Sequence, residues 1–246
     1  MLQVELLVQR RFLFGKLRGS ATGFQLWGAG SSAAVCRLVP GGTSQGGYSS
    51  DIVVDENYVI RVPEKMHKPA AAPLLCAGIT CYSPFRHFGL KPGMILGVAG
   101  LGGLGHMGVK IGKAMGCEVV VLTRSEHKRE SAMKLGASKV ILTTDADQMK
   151  EAAKSMHMIY NSIAFNHDLK QYLGLLRTSG TMVMVGGIPD ALGVSSFDLL
   201  PRRLSIVGSC IGGIRETQEM IDLRKHRFSS WFDEDRIYIR KFFIRD

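Results

Sequence analysis

Cysteine is scarce in this chain and poorly spaced for metal or disulfide chemistry. The five present are Cys36, Cys76, Cys81, Cys117 and Cys210. The number is odd and no Cys-x-x-Cys occurs, so neither a disulfide framework nor a small zinc lobe is indicated. Reduced thiols in the cytoplasm are the expectation. Long apolar runs are also missing: 46% of residues are hydrophobic, yet no stretch approaches the ~20 needed to span a bilayer. No membrane partner is expected. Acidic residues are outnumbered, 21 against 31 lysines and arginines, for a net charge of +10. The basic residues are scattered, however, without a recognition helix, an aromatic-basic module or finger spacing, so no nucleic-acid partner is expected. What remains is the composition of a globular protein with a sizeable core. At 246 residues it allows one large domain, or one domain and part of another.

Glycine is where the chain is rich, and one cluster organises it. Gly100, Leu101, Gly102, Gly103, Leu104 and Gly105 follow the apolar run Met94–Ala99 and precede His106–Met115, which carries Met107, Ile111, Ala114 and Met115 at helical spacing. Strand, glycine turn and helix together form the context of a dinucleotide site, where an isolated GxGxxG could be any glycine-rich turn. Gly100 permits the tight turn, Gly102 lets backbone approach a pyrophosphate, and Gly105 lets helix pack on strand. The helix start adds free N–H groups and a positive dipole end.

The next strand, Glu118–Leu122, ends at Thr123, Arg124 and Ser125, with Lys128 and Arg129 behind. A site selective for NAD places Asp or Glu at this strand end, roughly 20 residues past the glycines, to bond the ribose hydroxyl. Hydroxyls and cations suit a 2′-phosphate instead, so NADP(H) is the expected cofactor. A solvated basic helix start is the plainer alternative. Glu126 is the one dissenting charge.

Residues 1–45 form an unassigned leader, expected to lack stable structure. Met1–Gly19 is poor in acids and carries Arg10, Arg11, Lys16 and Arg18 among apolar residues, a composition shared with organelle-targeting leaders. Ser31–Ala34 and Gly41–Gly47 read as loop. Two strands are expected over Gly47–Asp55 and Tyr58–Pro63. A buried helix follows from Ala70 towards Phe88, broken by Pro92-Gly93. Beyond the glycine turn, Ser125 is expected to cap a helix over Glu126–Leu135. Strands are expected at Lys139–Leu142, Met158–Ser162, Gly180–Val185 and Leu204–Gly208. Helices are expected at Asp145–Ser155, Asp168–Leu176 and Glu216–Arg224. This alternation predicts an α/β, Rossmann-type doubly wound parallel sheet. Ligands bind at the carboxyl ends of such strands, which marks Ser162, Gly186, Ser209, Cys210 and Ile211 as cofactor candidates. Any one of them could equally be an ordinary turn residue. Residues 228–246 are a divergent, unpatterned tail.

Four separated motifs carry a family resemblance: Gly46-Gly-Tyr-Ser-Ser50, Ala71-Ala-Pro-Leu-Leu-Cys-Ala-Gly-Ile-Thr80, Gly100–Gly108 and Gly208-Ser-Cys-Ile-Gly212. From about Gly46 to His226 the chain resembles the cinnamyl alcohol dehydrogenases, members of the zinc-containing medium-chain alcohol dehydrogenases. The resemblance implies NADPH-dependent reduction of cinnamyl aldehydes to alcohols on the route to lignin monomers, with zinc polarising the carbonyl. It makes residues 46–75 a remnant of a GroES-like catalytic domain and 76–227 the NADP-binding domain. It implies Cys76 as a zinc ligand. Thr80, Gly100–Gly105, Thr123, Arg124, Ser125, Lys128, Ser162, Gly186 and Ser209–Ile211 become cofactor contacts. Homodimers joined through the sixth-strand edge, Ser205–Gly213, are implied as well.

The zinc set departs from that pattern. The family's catalytic site takes two Cys and one His, the second Cys and the His coming from an upstream half-domain, together with a four-Cys structural lobe. Residues 1–45 contain Cys36 alone and no histidine. None of His67, His87, His106, His127, His157, His167 and His226 precedes a Glu. The half-domain, and the family's returning C-terminal strands after His226, are therefore expected to be absent from this chain. No catalytic residue is assigned, and in this chain Cys76 reads more readily as a buried, inert thiol than as a ligand. Two functions follow: an impaired aldehyde reductase acting on aromatic aldehydes and alcohols, or a non-catalytic NADP-binding remnant that pairs with other subunits.

Overall fold

β-Branched and apolar runs separated by glycine turns dominate the middle of the chain, and in the computed structural model they become the layers of one sheet. The structure describes residues 4–9, 12–17, 51–55, 57, 59–63 and 71–227. The expected tail over 228–246, the loops at 31–34 and 41–47, and Cys36 and His67 lie outside the described residues.

A small antiparallel sheet comes first. Strands β1 (Val4–Gln9), β2 (Phe12–Leu17) and β3 (Asp51–Asp55) pair in that order, with Val4 opposite Leu17 and Phe12 opposite Asp55. At Val4–Gln9 and Phe12–Leu17 this corrects the expectation of an unstructured leader, since these residues pair in a hairpin ladder and with a distant partner strand; residues 18–45 lie outside the described residues. The expected strand over Tyr58–Pro63 is also absent at the described residues 59–63. Its backbone bonds a side chain instead, since Arg61 N donates to Gln218 Oε1 at 2.7 Å and Gln218 Nε2 returns to the Arg61 carbonyl at 3.2 Å.

A 3-10 turn over Ala72–Leu75 leads into helix α1 (Ala77–His87). The alternation then runs β4 (Ile95–Ala99), α2 (Gly103–Ala114), β5 (Glu118–Thr123), α3 (Arg129–Lys134), β6 (Lys139–Leu142), α4 (Ala146–Glu151) and β7 (Met156–Asn161). It continues with α5 (Leu169–Leu175), β8 (Leu176–Met184), α6 (Ser196–Leu199), β9 (Ser205–Gly208) and α7 (Ile214–Arg227). The six strands β4 to β9 form a parallel sheet in the order β6-β5-β4-β7-β8-β9.

Both faces of the sheet are covered, as a parallel sheet requires. Side chains alternate along each strand. Val119 and Val121 join the core beneath α1 and α2, with Leu96, Val98, Tyr160 and Val183. Val120 and Leu122 join the opposite core, with Ile141, Ile159, Leu173 and Met182. Chain order reverses between β4 and β7, so the switch point of the sheet lies between their carboxyl ends. That is where open α/β sheets bind ligands.

One expected helix divides. Ser125–Leu135 is a 3-10 turn at Glu126–Lys128 followed by α3. Ser125 stands at the cap position without capping, because its hydroxyl bonds His127 Nδ1 at 3.0 Å.

Candidate functional site: a dinucleotide rim at the switch point

The glycine turn sits directly after β4. Gly100 has φ +86°, the left-handed region where a side chain is strained. Its N–H donates to the Leu122 carbonyl of β5 at 3.1 Å, which holds the turn against the neighbouring strand. A Cβ on Gly105 would lie 2.0 Å from the Gly100 carbonyl oxygen, whereas Gly102 and Gly103 face open space. Gly105 is therefore needed to close the turn on itself, rather than to seat the helix on a strand. Gly102 and Gly103 leave room for a ligand to approach backbone and the start of α2. Leu101 is buried, so its backbone is what the turn can offer. The Leu104 carbonyl oxygen lies 3.4 Å from the Cys81 sulfur.

Across the switch point, Ser162 Oγ donates to the Ala99 carbonyl at 2.9 Å, with the Gly100 carbonyl 3.3 Å away. Farther along the rim, Gly186 N donates to the Asn161 carbonyl at 3.2 Å and Ser209 N to the Met184 carbonyl at 3.1 Å. Cys210 is an exposed thiol, and Ile211 takes φ +56°. The structure thus brings Gly100–Gly105, Ser162, Gly186 and Ser209–Ile211 to one edge of the sheet.

The end of β5 adds the charged part. Thr123 is buried and its Oγ1 accepts the Ser125 N–H at 3.2 Å, so this hydroxyl shapes the turn. Arg124 is exposed and Ser125 and Lys128 are partly so. Glu126 is taken out of play by Arg129, whose Nε donates to it at 2.5 Å and whose Nη2 donates at 3.0 Å. That guanidinium holds the Glu126 carboxyl below its ordinary range. The Arg124 guanidinium carbon lies 5.0 Å from the centroid of the Phe165 ring, a contact that no local sequence pattern signalled.

Thr80 lies in α1 beneath this rim. Its hydroxyl donates back to the Cys76 carbonyl at 2.7 Å, and its own carbonyl accepts from the Tyr160 hydroxyl at 3.4 Å. Cys81 donates to that same Tyr160 oxygen at 3.2 Å. Burial pushes the Cys81 thiol up to about 12 and raises the Tyr160 phenol as well. Both stay protonated and serve to lock α1 onto β7.

Residues 103–226, just over half of the chain, match the family described as zinc-binding dehydrogenase. The chain belongs to that family. It is 50% identical over 182 residues to NADP-dependent alcohol dehydrogenase C 1 of Mycolicibacterium smegmatis, covering 74% of this chain and 52% of that protein. It is 48% identical over 184 residues to probable cinnamyl alcohol dehydrogenase 2 of Picea abies, with 74% and 52% covered. Among solved structures, a cinnamyl alcohol dehydrogenase from Sorghum bicolor superposes with a TM-score of 0.72 at 33% identity, covering 86% of this chain and 64% of that one. The resemblance read from the four motifs is thereby borne out, as is the Rossmann-type fold. The chain spans about half the length of the curated relatives it matches.

The family's metal is a separate matter. Cys76, at the junction of the 3-10 turn and α1, is an exposed free thiol, which corrects the expectation of a buried one. Among the described residues no group of three His, Cys, Asp or Glu side chains could hold a metal ion. A single thiolate does not make the three-ligand cage of a catalytic zinc, so these residues do not fit that ion. Also among the described residues, no helix is long and apolar enough to cross a membrane.

Proposed function

We propose that residues 76–227 bind NADP(H), and that the chain derives from a cinnamyl-alcohol-dehydrogenase-type oxidoreductase that reduces aromatic aldehydes to alcohols. The observation that carries this reading is the rim at the switch point. There, Gly105 closes a turn with open space before Gly102 and Gly103, beside a strand end that offers Arg124 and no free carboxylate. The M. smegmatis relative, named for its NADP dependence, supports the choice of cofactor.

Bound NADPH supplies a hydride to a carbonyl carbon. The chain's own residues would hold the cofactor: the turn amides and the start of α2 would take the pyrophosphate, Arg124, Ser125 and Lys128 the 2′-phosphate, and Ser162, Gly186 and Ser209–Ile211 would line the remaining rim. No step is assigned to zinc, because the described donors do not fit it.

A second reading, a non-catalytic NADP-binding protein, is favoured because, among the described residues, no three His, Cys, Asp or Glu side chains, Cys76 included, come together to hold a metal ion. Pairing into a homodimer belongs to both readings. Strand β9 ends the sheet, and an unpaired edge templates strand addition. Just before it, Phe197 and Leu200 are 80% and 65% exposed.

Thermal unfolding with and without NADPH tests cofactor binding. At a hundredfold excess over Kd the ligand should add about 2.7 kcal/mol of stability. An unchanged melting curve at saturating NADPH contradicts the proposal.

A further inference from the structure

We infer that Phe165 is a positioning residue for cofactor selectivity, its ring holding the Arg124 guanidinium where a ribose 2′-phosphate is read. The inference rests on the NADP(H) reading above and deepens it.

An arginine on an exposed strand end is a long, flexible cation. It recognises phosphate well only when its planar fork is oriented beforehand. An aromatic face attracts a guanidinium through the ring quadrupole and favours a parallel, ordered placement. Here the guanidinium carbon lies 5.0 Å from the Phe165 centroid, within the range of that attraction.

The ring itself stands on a built support. Asn161, the last residue of β7, is fully buried. Its Oδ1 accepts the Ile163 N–H at 3.1 Å, and its Nδ2 donates to His167 Nε2 at 2.9 Å. With Nε2 accepting, the proton sits on Nδ1, which donates to the Phe165 carbonyl at 2.7 Å. The His167 ring also meets Tyr172 edge-on at 5.4 Å, and Asn166 donates to Asp190. The loop from Asn161 to Asp168 is therefore held from both ends. Phe165, at its crest and 48% exposed, reaches from the end of β7 to the end of β5. The switch point is bridged twice, by Ser162 against the glycine turn and by Phe165 against Arg124.

A ring acting only as loop packing would affect every ligand of the rim alike. A ring acting through Arg124 would affect only ligands bearing the 2′-phosphate. The test measures Kd for NADPH, NADH, 2′,5′-ADP and 5′-AMP on the 246-residue chain and three single variants, Phe165→Leu, Phe165→Tyr and Arg124→Met. It adds the Phe165→Leu, Arg124→Met double variant. Phe165→Leu should weaken NADPH and 2′,5′-ADP by about three- to tenfold and leave NADH and 5′-AMP unchanged. Phe165→Tyr should bind as the parent does. In the Arg124→Met background Phe165→Leu should have no further effect. Equal weakening of all four ligands, an unchanged NADPH-to-NADH ratio, or additive effects in the double variant would overturn the inference while leaving the NADP(H) reading intact. Failure of the parent chain to bind either dinucleotide would overturn both.

Discussion

A methyl group at Gly105 would meet a backbone oxygen at 2.0 Å, and no rotation relieves a contact with main chain. Gly105→Ala should therefore force the turn open. The expected outcome is a stability loss of about 1–3 kcal/mol with NADPH binding lost. Gly103→Ala, where nothing lies within 4 Å, should keep the parent melting temperature. Parallel melts and titrations of the two variants check this. The buried hydroxyl and thiol beneath the rim give a second expectation. Because burial pushes the Cys81 thiol up to about 12 from an ordinary 9.0, the unfolded chain ionises first. The stability this contributes is complete below pH 9 and is lost as pH rises towards 12. Tyr160, Tyr82 and Cys117, also raised by burial, act in the same direction. The melting temperature of the parent should fall across pH 9–11 more steeply than that of Cys81→Ala. Equal slopes would show that the thiol is not insulated. At this scale the sequence made Gly100–Gly105 and Arg124 legible, since turn chemistry and charge are local properties. Phe165 stayed hidden because its contact with Arg124 depends on how two loops meet across the sheet.

Among the elements, β4, β5 and β6 are readable as apolar, β-branched runs bounded by turns. Their observed limits differ from the expected ones by no more than a residue. β8 starts earlier than its run suggests, because Leu176 already pairs with Met156 before the register shifts and resumes at Thr181 opposite Met158. β1 and β2 escaped notice because the basic, acid-poor composition of Met1–Gly19 obscures their apolar runs; they are near neighbours that pair with each other, and only the pairing of β2 with β3 is distant. The short helix α6 escaped too, although its capping box of Ser195 and Asp198 is a sequence signal. The edge element β9 carries its own expectation. Light scattering over a range of concentrations should show dimers, and Phe197→Lys should shift the equilibrium to monomer. A parent chain monomeric at every concentration would remove the edge-pairing proposal.

For the whole molecule, cofactor binding and turnover are expected to separate. The rim belongs to an intact six-stranded sheet, whereas the donors of the family's metal site are not assembled among the described residues. The purified chain, assayed with cinnamaldehyde, NADPH and added zinc, should therefore reduce aldehyde far more slowly than a relative of full length. A comparable rate would mean that a working site is formed by residues outside those described. The central claim, that this sheet reads the 2′-phosphate, is tested most directly by fluorescence titration of NADPH and NADH on the parent chain and on Arg124→Asp. NADPH should bind the parent at least about tenfold tighter than NADH, an advantage that Arg124→Asp abolishes by placing a negative charge beside the phosphate. Equal or tighter binding of NADH by the parent would contradict it.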